Sequence, residues 1–342
     1  MLERLVVPIV GAPMAGGAST PELAAAICEA GALGFLAAGY KPPAALAEDV
    51  AATRALTAAP FGVNVFAGAP SEAAPGAVEA FARSVAGYGV EPGAPRSDDD
   101  DFAAKVERLL DDPVAVVSFT FGCPSRALVE RFHRAGSEVW VTVTDVGEAE
   151  RAAAAGADAL VAQGVEAGGH RGGFDDEAPG DYGVLALVQL LAAAVPRPLV
   201  ATGGIATGRA IAAVLATGAT AAQLGTAFMR CPEAGTAEVH REALRRPGRT
   251  ALTRAFSGRT ARGVVNRFMR EHDAQAPHAY PAVHHVTAPI RAHARAGGDA
   301  DLLNLWAGQA HDLARDVPAG QLVRELHADA RAAAVALHNR LT

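Results

Sequence analysis

The loop 162–172, with the sequence AQGVEAGGHRG, combines the residue types in this chain that are best suited to chemistry. It places the imidazole of His170 and the amide of Gln163 beside the pair Gly168 and Gly169. Glycine lacks a Cβ atom, so the backbone here can approach a ligand closely and adopt positive φ. Histidine ordinarily titrates near neutral pH, which makes His170 a candidate general acid or base. The alternative is a flexible loop with a surface histidine.

Two further glycine-rich loops suit a phosphate group. Gly203 and Gly204 follow a predicted seventh strand. Gln223, Gly225 and Thr226 lie at the end of a predicted eighth strand. Backbone N–H groups of the loops after strands seven and eight, with a short helix N-terminus, recurrently bind phosphate in (β/α)8 barrels. The two loops together therefore predict a phosphate site.

Two strands nearer the beginning of the chain carry other candidates. The first strand runs into a glycine-rich turn, 11–24, in which Thr20 and Pro21 predict the start of a helix. Asn64 lies inside the apolar segment FGVNVF. A buried amide needs a hydrogen-bond partner, which here is either the backbone or a bound heterocycle.

These loops require a scaffold that brings the carboxyl ends of several strands together. The first two thirds of the chain alternate short apolar runs with alanine-rich amphipathic segments, which is typical of parallel βαβ units. The predicted strands are 6–10, 33–37, 62–66, 114–118, 138–143, 159–162, 199–201 and 221–224, and the predicted helices are 21–30, 43–55, 124–135, 146–155, 184–194 and 208–216. Eight such strands close most simply as a (β/α)8 TIM barrel.

The alternation stops near the end of the eighth strand. Residues 231–317 are rich in Arg and His and predict a second, mainly helical cap domain over one end of the barrel. Residues 1–230 and 318–342 are assigned to the barrel, and 321–341 is predicted to be one amphipathic helix. The acidic run 98–101 is predicted to be a solvated helix N-terminus.

Composition and charge exclude several classes of function. Half of the 342 residues are hydrophobic and the net charge is −7, so neither nucleic acid nor an anionic membrane is an expected partner. No apolar run reaches the ~18 residues of a membrane span. The three cysteines are scattered, which suits a reducing compartment and predicts a cytoplasmic protein. Four histidines without metal-ligand spacing predict a solvated loop and no metal site: His278, His284, His285 and His293.

Taken in order, the motifs closely resemble those of the class I nitronate monooxygenases, formerly called 2-nitropropane dioxygenases. Members of that family are FMN-dependent (β/α)8 enzymes with a second domain that caps the flavin. The resemblance runs nearly end to end through GAPMAGGASTPELA, AGALG, FGVNVF, VSFTFGCP, AQGVEAGGHRG, ATGGIATG, QLGTAF and LWAGQ. The AGGH and Gly-Gly loops are shared with flavin enoyl-ACP reductases and NADH:quinone reductases, whereas APMAGG followed by STPELA favours the nitronate enzymes.

The resemblance also implies roles for particular residues. FMN contacts are expected from Ala12, Pro13, Met14, Asn64, Gln163, Gly168, Gly169, Gly203, Gly204, Gln223, Leu224, Gly225 and Thr226. His170 matches the active-site histidine, and Trp306 and Gln309 are expected to reach the flavin from the cap, although Trp306 could equally be ordinary packing. Thr120 stands where many class I members have a second histidine, and it cannot carry a positive charge. The neighbouring Arg171 is predicted to form a surface ion pair.

The reaction implied by the resemblance oxidises an alkyl nitronate, for example propionate 3-nitronate, with O₂ to a carbonyl compound and nitrite. NAD(P)H is not consumed. The expected partners are therefore small molecules, the nitronate and O₂, and the expected assembly is a monomer or homodimer. Two alternatives stay open: an FMN-dependent NAD(P)H reductase of enoyl thioesters or quinones, and a barrel that binds a phosphorylated ligand without redox chemistry. Thr120 also leaves open a specialised nitro or ketone substrate.

Overall fold

Eight parallel strands form the central sheet of the computed structural model, which describes residues 1–71 and 73–342. In chain order, the strands within that part are β1 (Ile9–Gly11), β2 (Phe35–Ala37), β3 (Gly62–Phe66), β4 (Val116–Thr120), β5 (Glu138–Val143), β6 (Ala159–Gln163), β7 (Gly169–His170), β8 (Leu199–Thr202), β9 (Ala221–Leu224), β10 (Thr250–Thr253) and β11 (Ala261–Val264). The central sheet has the order β1-β9-β8-β6-β5-β4-β3-β2. A bridge between Val10 and Leu33 joins its two outer strands, so the sheet closes and the predicted (β/α)8 barrel is confirmed.

Helices follow the barrel strands as expected for βαβ units. The α-helices within the described ranges are α1 (Pro21–Glu29), α2 (Pro43–Leu56), α3 (Ala77–Ser84), α4 (Phe102–Asp111), α5 (Arg126–Ala135), α6 (Val146–Ala155), α7 (Val184–Ala194), α8 (Gly208–Ala216), α9 (Glu238–Arg245), α10 (Arg267–His272), α11 (Ala282–Gly297) and α12 (Ala319–Leu341). The side chains of Thr20, Ser125, Asp145 and Thr207 each accept a hydrogen bond from a first-turn N–H group, which explains where four of these helices begin.

Side chains fill the barrel interior towards the amino-terminal ends of the strands. Val10, Val116, Trp140 and Val200 come from four different strands and form one buried cluster with Leu2. A larger cluster packs the outer faces of the strands against the surrounding helices. Because this end is filled, a ligand can enter the barrel only from the carboxyl ends of the strands.

A second layer of structure covers that open end. It contains α9, α10, α11 and a three-stranded antiparallel sheet with the order β10-β11-β7. The sequence did not predict this sheet, in which β11 pairs with the two residues that include His170. The second hydrophobic cluster combines Phe256, Phe268 and Val283 with Phe81 of α3, so a segment outside 231–317 also packs here. The proposed division into 1–230 plus 318–342 and 231–317 stays a prediction.

The long helix α12 returns the chain to the barrel after the cap. It packs between α8 and α1 with its buried residues Leu322, Val323 and Leu326. It therefore takes the place of the eighth barrel helix. Within the described residues, no helix combines the length and the apolar character that spanning a membrane requires.

Candidate active site

A cavity of about 490 Å³ lies between the carboxyl ends of the barrel strands and the cap. Such a volume is within the usual range for a small-molecule or cofactor site. Most of the residues predicted from the sequence line it: Ala12, Pro13, Met14, Asn64, Thr120, Gln163, Gly168, Gly169, His170, Gly203, Gly204, Gln223, Gly225, Thr226 and Trp306. The two others do not, because the Leu224 side chain is buried in the core and Gln309 is exposed to solvent. The role of each residue stays a prediction.

His170 enters the cavity from β7 and is held there by its neighbours. Its Nε2 atom lies 2.8 Å from Ser257 Oγ, and its ring makes edge contacts with Phe121, Tyr280 and Trp306. Burial, together with the nearby positive charges of the cap, lowers the pKa of His170 from 6.5 to about 3. The imidazole is therefore neutral throughout the physiological pH range.

The partners of Ser257 assign the tautomer of this neutral imidazole. We assign the one proton of Ser257 Oγ to the carbonyl oxygen of Arg259 at 3.1 Å, because a carbonyl can only accept. With this assignment the Ser257 hydroxyl accepts from the Nε2–H group of His170. This leaves the Nδ1 lone pair of His170 without a partner among the described residues, so it is available as a base.

Arg171 orients the amide of Gln163 from below the cavity. Its side chain is 1% exposed, and it donates to Gln163 Oε1 at 3.0 Å and to the carbonyl oxygens of Gly164 and Gly180. The predicted surface ion pair of Arg171 is therefore wrong: the guanidinium is buried and donates to Gln163 Oε1 and to backbone carbonyl oxygens seven and nine residues away. Gln163 Oε1 also accepts from the backbone N–H of Gly172 at 2.8 Å. Gln163 Nε2 donates one hydrogen to the carbonyl oxygen of His170 at 3.1 Å, which leaves its second hydrogen as a donor for the cavity.

Asn64 presents the opposite polarity. Its Nδ2 atom lies 2.9 Å from both Ser118 Oγ and Thr120 Oγ1, so the NH₂ group is fully used by the protein. Its Oδ1 atom has no partner within the residues described and is left as an acceptor at the cavity wall. The barrel side of the cavity thus carries one amide donor and one amide acceptor.

The loops after β8 and β9 present backbone N–H groups. Gly203 and Gly204 have φ values of +120° and +66°, a region that favours glycine. Their N–H groups, and those of Gly225 and Thr226, donate to no protein acceptor in the described part of the chain. A short 3₁₀ turn, Thr226–Phe228, begins at the same place. Such unsatisfied amides at loops of this kind suit a phosphate.

Several cavity residues were not anticipated from the sequence. Tyr40, Ser257, Tyr280, His284 and Arg291 all line the cavity or pack directly behind its wall. Tyr40 stacks on His284 with ring centroids 4.2 Å apart, and its hydroxyl accepts a hydrogen bond from that of Tyr280 at 3.2 Å. The histidine-rich stretch was predicted as a solvated loop, and this was wrong, because three of its four histidines lie on helix α11. No cluster of three or more metal-binding side chains occurs among the described residues.

The acidic run 98–101 differs from its prediction in part. Asp100 pairs with the fully buried Lys105 at 2.7 Å, and its Oδ1 atom accepts from the backbone N–H of Tyr40. Asp98 lies 2.8 Å from His285 on α11. The run therefore connects the segment before α4 to the cap and holds Tyr40, which has a φ of +64°, in the cavity wall. Asp98, Asp99 and Asp101 are exposed directly before α4, as predicted for a solvated helix N-terminus. Asp100 departs from that prediction, because the sequence alone does not show its long-range partners.

Comparisons with known proteins identify the family of the chain. The family model described as nitronate monooxygenase matches residues 1–329. A nitronate monooxygenase of Paraburkholderia phytofirmans is 43% identical over 334 residues, which cover 93% of this chain and 91% of the relative. One of Pseudomonas aeruginosa is 44% identical over 341 residues, covering 93% and 95% respectively.

Two solved structures are similar over nearly the whole chain. A nitroalkane oxidase of Streptomyces ansochromogenes has a TM-score of 0.94 and 52% identity, covering 98% of this chain and 99% of that one. FabK of Thermotoga maritima has a TM-score of 0.79 and 26% identity, covering 99% and 97%.

Proposed function

The chain belongs to the nitronate monooxygenase family, and from this premise we propose that it is an FMN-dependent enzyme that oxidises alkyl nitronates with O₂. The products are a carbonyl compound and nitrite. The observation that carries the proposal is the pattern of unsatisfied polar groups in the cavity wall: an amide acceptor, an amide donor and a set of glycine N–H groups.

This pattern matches the groups that FMN presents. The isoalloxazine ring has one N–H donor and several carbonyl and ring-nitrogen acceptors, which suit Asn64 Oδ1 and the Gln163 amide nitrogen respectively. The phosphate suits the N–H groups of Gly203, Gly204 and Gly225. A barrel that binds a phosphorylated ligand without redox chemistry does not account for the paired amides in the same cavity.

When bound, FMN supplies the redox chemistry by accepting electrons from the nitronate and passing them to O₂. The chain's own residues bind, orient and exchange a proton. His170 Nδ1 is a neutral base that can take the α-proton of a neutral nitroalkane, and Ser257 holds the ring in the required tautomer. Phe121 and Trp306 pack around the imidazole and exclude water from that side.

The first test is the purified protein with its bound cofactor. We expect a yellow protein that releases FMN on denaturation and consumes O₂ with propionate 3-nitronate and short alkyl nitronates, with nitrite as a product. We expect His170→Asn to retain FMN and to lose at least a hundredfold in turnover of neutral nitroalkanes, since proton transfer by a positioned base contributes about 10²–10⁴-fold. A colourless protein, or unchanged nitroalkane turnover in the variant, would contradict the proposal.

The likeness to FabK favours one second candidate, an NAD(P)H-dependent flavin reductase on the same scaffold. Anaerobic mixing with NADH separates the two. A reductase would bleach its flavin rapidly, whereas we expect slow bleaching here and fast oxygen uptake with nitronates. Rapid bleaching that is then reversed by a quinone or an enoyl thioester would favour the reductase.

A further inference from the structure

The cap contributes a positive charge to the cavity that the protein leaves without a counterion. Arg291 on α11 lines the cavity and donates to Thr287 Oγ1 at 3.2 Å and to the carbonyl oxygen of His284 at 2.8 Å. Throughout 1–71 and 73–342, no carboxylate lies within 4.0 Å of its guanidinium, and its Nη1 atom has no acceptor. A largely desolvated cation without a counterion is costly, so an anionic ligand would stabilise this site.

The other buried cap arginine near the site differs in this respect. Arg259 donates to the backbone carbonyl oxygens of Arg171 and Gly173, lies over the ring of Phe121, and has Asp176 nearby. Its charge is therefore satisfied by the protein. Arg291 lines the cavity and is partly buried, whereas Arg295, which also lines it, is exposed to solvent.

His284 adds a hydrogen-bond donor beside this charge. Its Nδ1 atom lies 3.2 Å from the Nη2 group of Arg291, and a guanidinium can only donate, so Nδ1 must accept. Burial and the Arg291 charge lower the pKa of His284 to about 2, so the ring is neutral and carries its one proton on Nε2. That Nε2–H group has no partner among the residues the structure describes, and the Tyr40 ring fixes its plane by stacking.

The electrostatics of the whole cavity are consistent with an anion. Its described lining includes Arg291 and Arg295 but no Asp or Glu, although the chain as a whole has a net charge of −7. A low-dielectric cleft with charges of one sign concentrates ligands of the opposite sign.

We propose that Arg291 and the Nε2–H group of His284 bind the two oxygens of the substrate's nitro or nitronate group, while His170 Nδ1 faces the adjacent carbon. The inference rests on the proposed function. For a neutral nitroalkane the α-C–H bond breaks, its proton moves to His170 Nδ1, and the electron pair delocalises onto the nitro oxygens. Arg291 and His284 stabilise the charge that develops there, as preorganised donors do at an oxyanion site.

Nitrate is a suitable probe because it is a planar oxyanion with no C–H bond and needs no turnover. We would titrate nitrate into the holoenzyme at constant ionic strength and follow the visible spectrum, with calorimetry as a second measurement. We expect Arg291→Gln to weaken nitrate binding roughly a hundredfold, since a lost charge-assisted contact to a desolvated anion has that order of effect. We expect the KM for nitronates to rise in parallel.

Four further variants make the result specific. Arg270→Gln removes the same charge from an exposed cap position outside the cavity and should change nitrate binding less than twofold. Arg291→Lys should restore part of the affinity, which a loss of folding would not. His284→Phe keeps an aromatic ring on Tyr40 but removes both nitrogens, and should weaken nitrate binding roughly tenfold. His284→Gln can donate from near the Nε2 position and should weaken it less.

The outcomes separate this inference from the proposed function. Nitrate binding that is absent in the wild type, or equal in Arg291→Gln and the wild type, overturns the assignment of Arg291 even if nitronates are oxidised. Arg291-dependent nitrate binding without nitronate oxidation supports the anion site and overturns the proposed function. If Arg291→Gln does not fold, nitrate affinity is compared between His284→Phe and His284→Gln. Weaker binding by His284→Phe supports the anion site, and equal binding by both variants and the wild type overturns it.

Discussion

At the scale of single residues, the hydroxyl of Ser257 determines which nitrogen of His170 faces the cavity. Ser257→Ala removes the acceptor of the Nε2–H group, so the ring can adopt the other tautomer and lose its base at Nδ1. We expect kcat for a neutral nitroalkane to fall about tenfold, because only part of the ring population then carries the base. FMN content should not change. Steady-state oxygen uptake measures the effect, and Ser257→Thr, which keeps the hydroxyl, should retain most of the rate.

The same scale shows what the sequence could and could not predict about the site. His170 and Asn64 were identifiable because a polar side chain inside or directly after an apolar run is conspicuous. Arg291 and His284 were not, although they lie seven residues apart on one helix. Pro289 lies between them inside α11, and proline is unfavourable in a helix interior, so the local sequence does not indicate the helix that brings both side chains to the cavity.

At the scale of elements, the β8 loop requires glycine for its backbone conformation. Gly204→Ala would place a Cβ atom 3.0 Å from Glu166 Cβ at a φ of +66°, so the loop would shift and misdirect its N–H groups. We expect the dissociation constant for FMN to rise at least roughly tenfold, as measured by flavin fluorescence on reconstitution.

Gly218→Ala is the matched control for this loop. Gly218 also has positive φ, +111°, but lies between α8 and β9, outside the cavity lining. It should lower the free energy of unfolding by about 1 kcal/mol and leave FMN affinity unchanged. Equal losses of FMN in both variants would mean that backbone strain, and not the position of the β8 loop, causes the effect.

The buried Asp100–Lys105 pair gives a second prediction at this scale. Lys105→Met leaves a carboxylate in the protein without its cation, and we expect a loss of about 3 kcal/mol in the free energy of unfolding. The double variant Asp100→Asn with Lys105→Met removes both charges and should cost less than Lys105→Met alone. The amide oxygen that replaces the carboxylate would still accept from the Tyr40 N–H group. Urea denaturation of the wild type, Lys105→Met and the double variant measures their free energies of unfolding. A double variant that is less stable than Lys105→Met would contradict the prediction.

Elements of the barrel were largely predictable, whereas those of the cap were not. Strands β3, β5 and β9 have the predicted bounds because parallel strands buried on both faces appear as continuous apolar runs. The cap sheet lacks such runs: β11 contains Arg262, whose guanidinium donates to the carbonyl oxygen of Val165, and β7 has only two residues. Contacts distant in sequence stabilise these strands, so local patterns do not reveal them.

At the scale of the whole molecule, three neutral imidazoles in the cavity wall make stability depend on pH. Burial lowers the pKa of His170 to about 3, of His240 to about 4 and of His284 to about 2. These groups stay unprotonated in the folded protein but take up protons near pH 6.5 when it unfolds. The contribution of these three histidines to the free energy of unfolding is therefore fully present above pH 6.5. It is lost as the pH falls towards 4, with a slope of up to about 1.4 kcal/mol per pH unit for each histidine.

Urea denaturation of the holoenzyme at pH 5, 6 and 7 measures this slope. His240→Gln removes one titrating group and keeps a side chain that can donate to the Trp306 carbonyl oxygen, so it should reduce the slope by about a third. Burial raises the carboxyl pKa values of Asp100 and Asp176, so protonation of these two groups stabilises the folded protein as the pH falls. Their effect opposes that of the histidines and reduces the overall slope of unfolding free energy with pH. A free energy of unfolding that does not change between pH 7 and pH 5 would contradict the prediction.

The position of α12 has a consequence for synthesis. This helix covers the apolar groove between α1 and α8, yet the chain reaches it only after the complete cap. On the ribosome, the growing barrel therefore has an uncovered flank until α12 emerges, and the cap has that interval in which to fold. Docking of α12 then completes the barrel around a cap that is already synthesised.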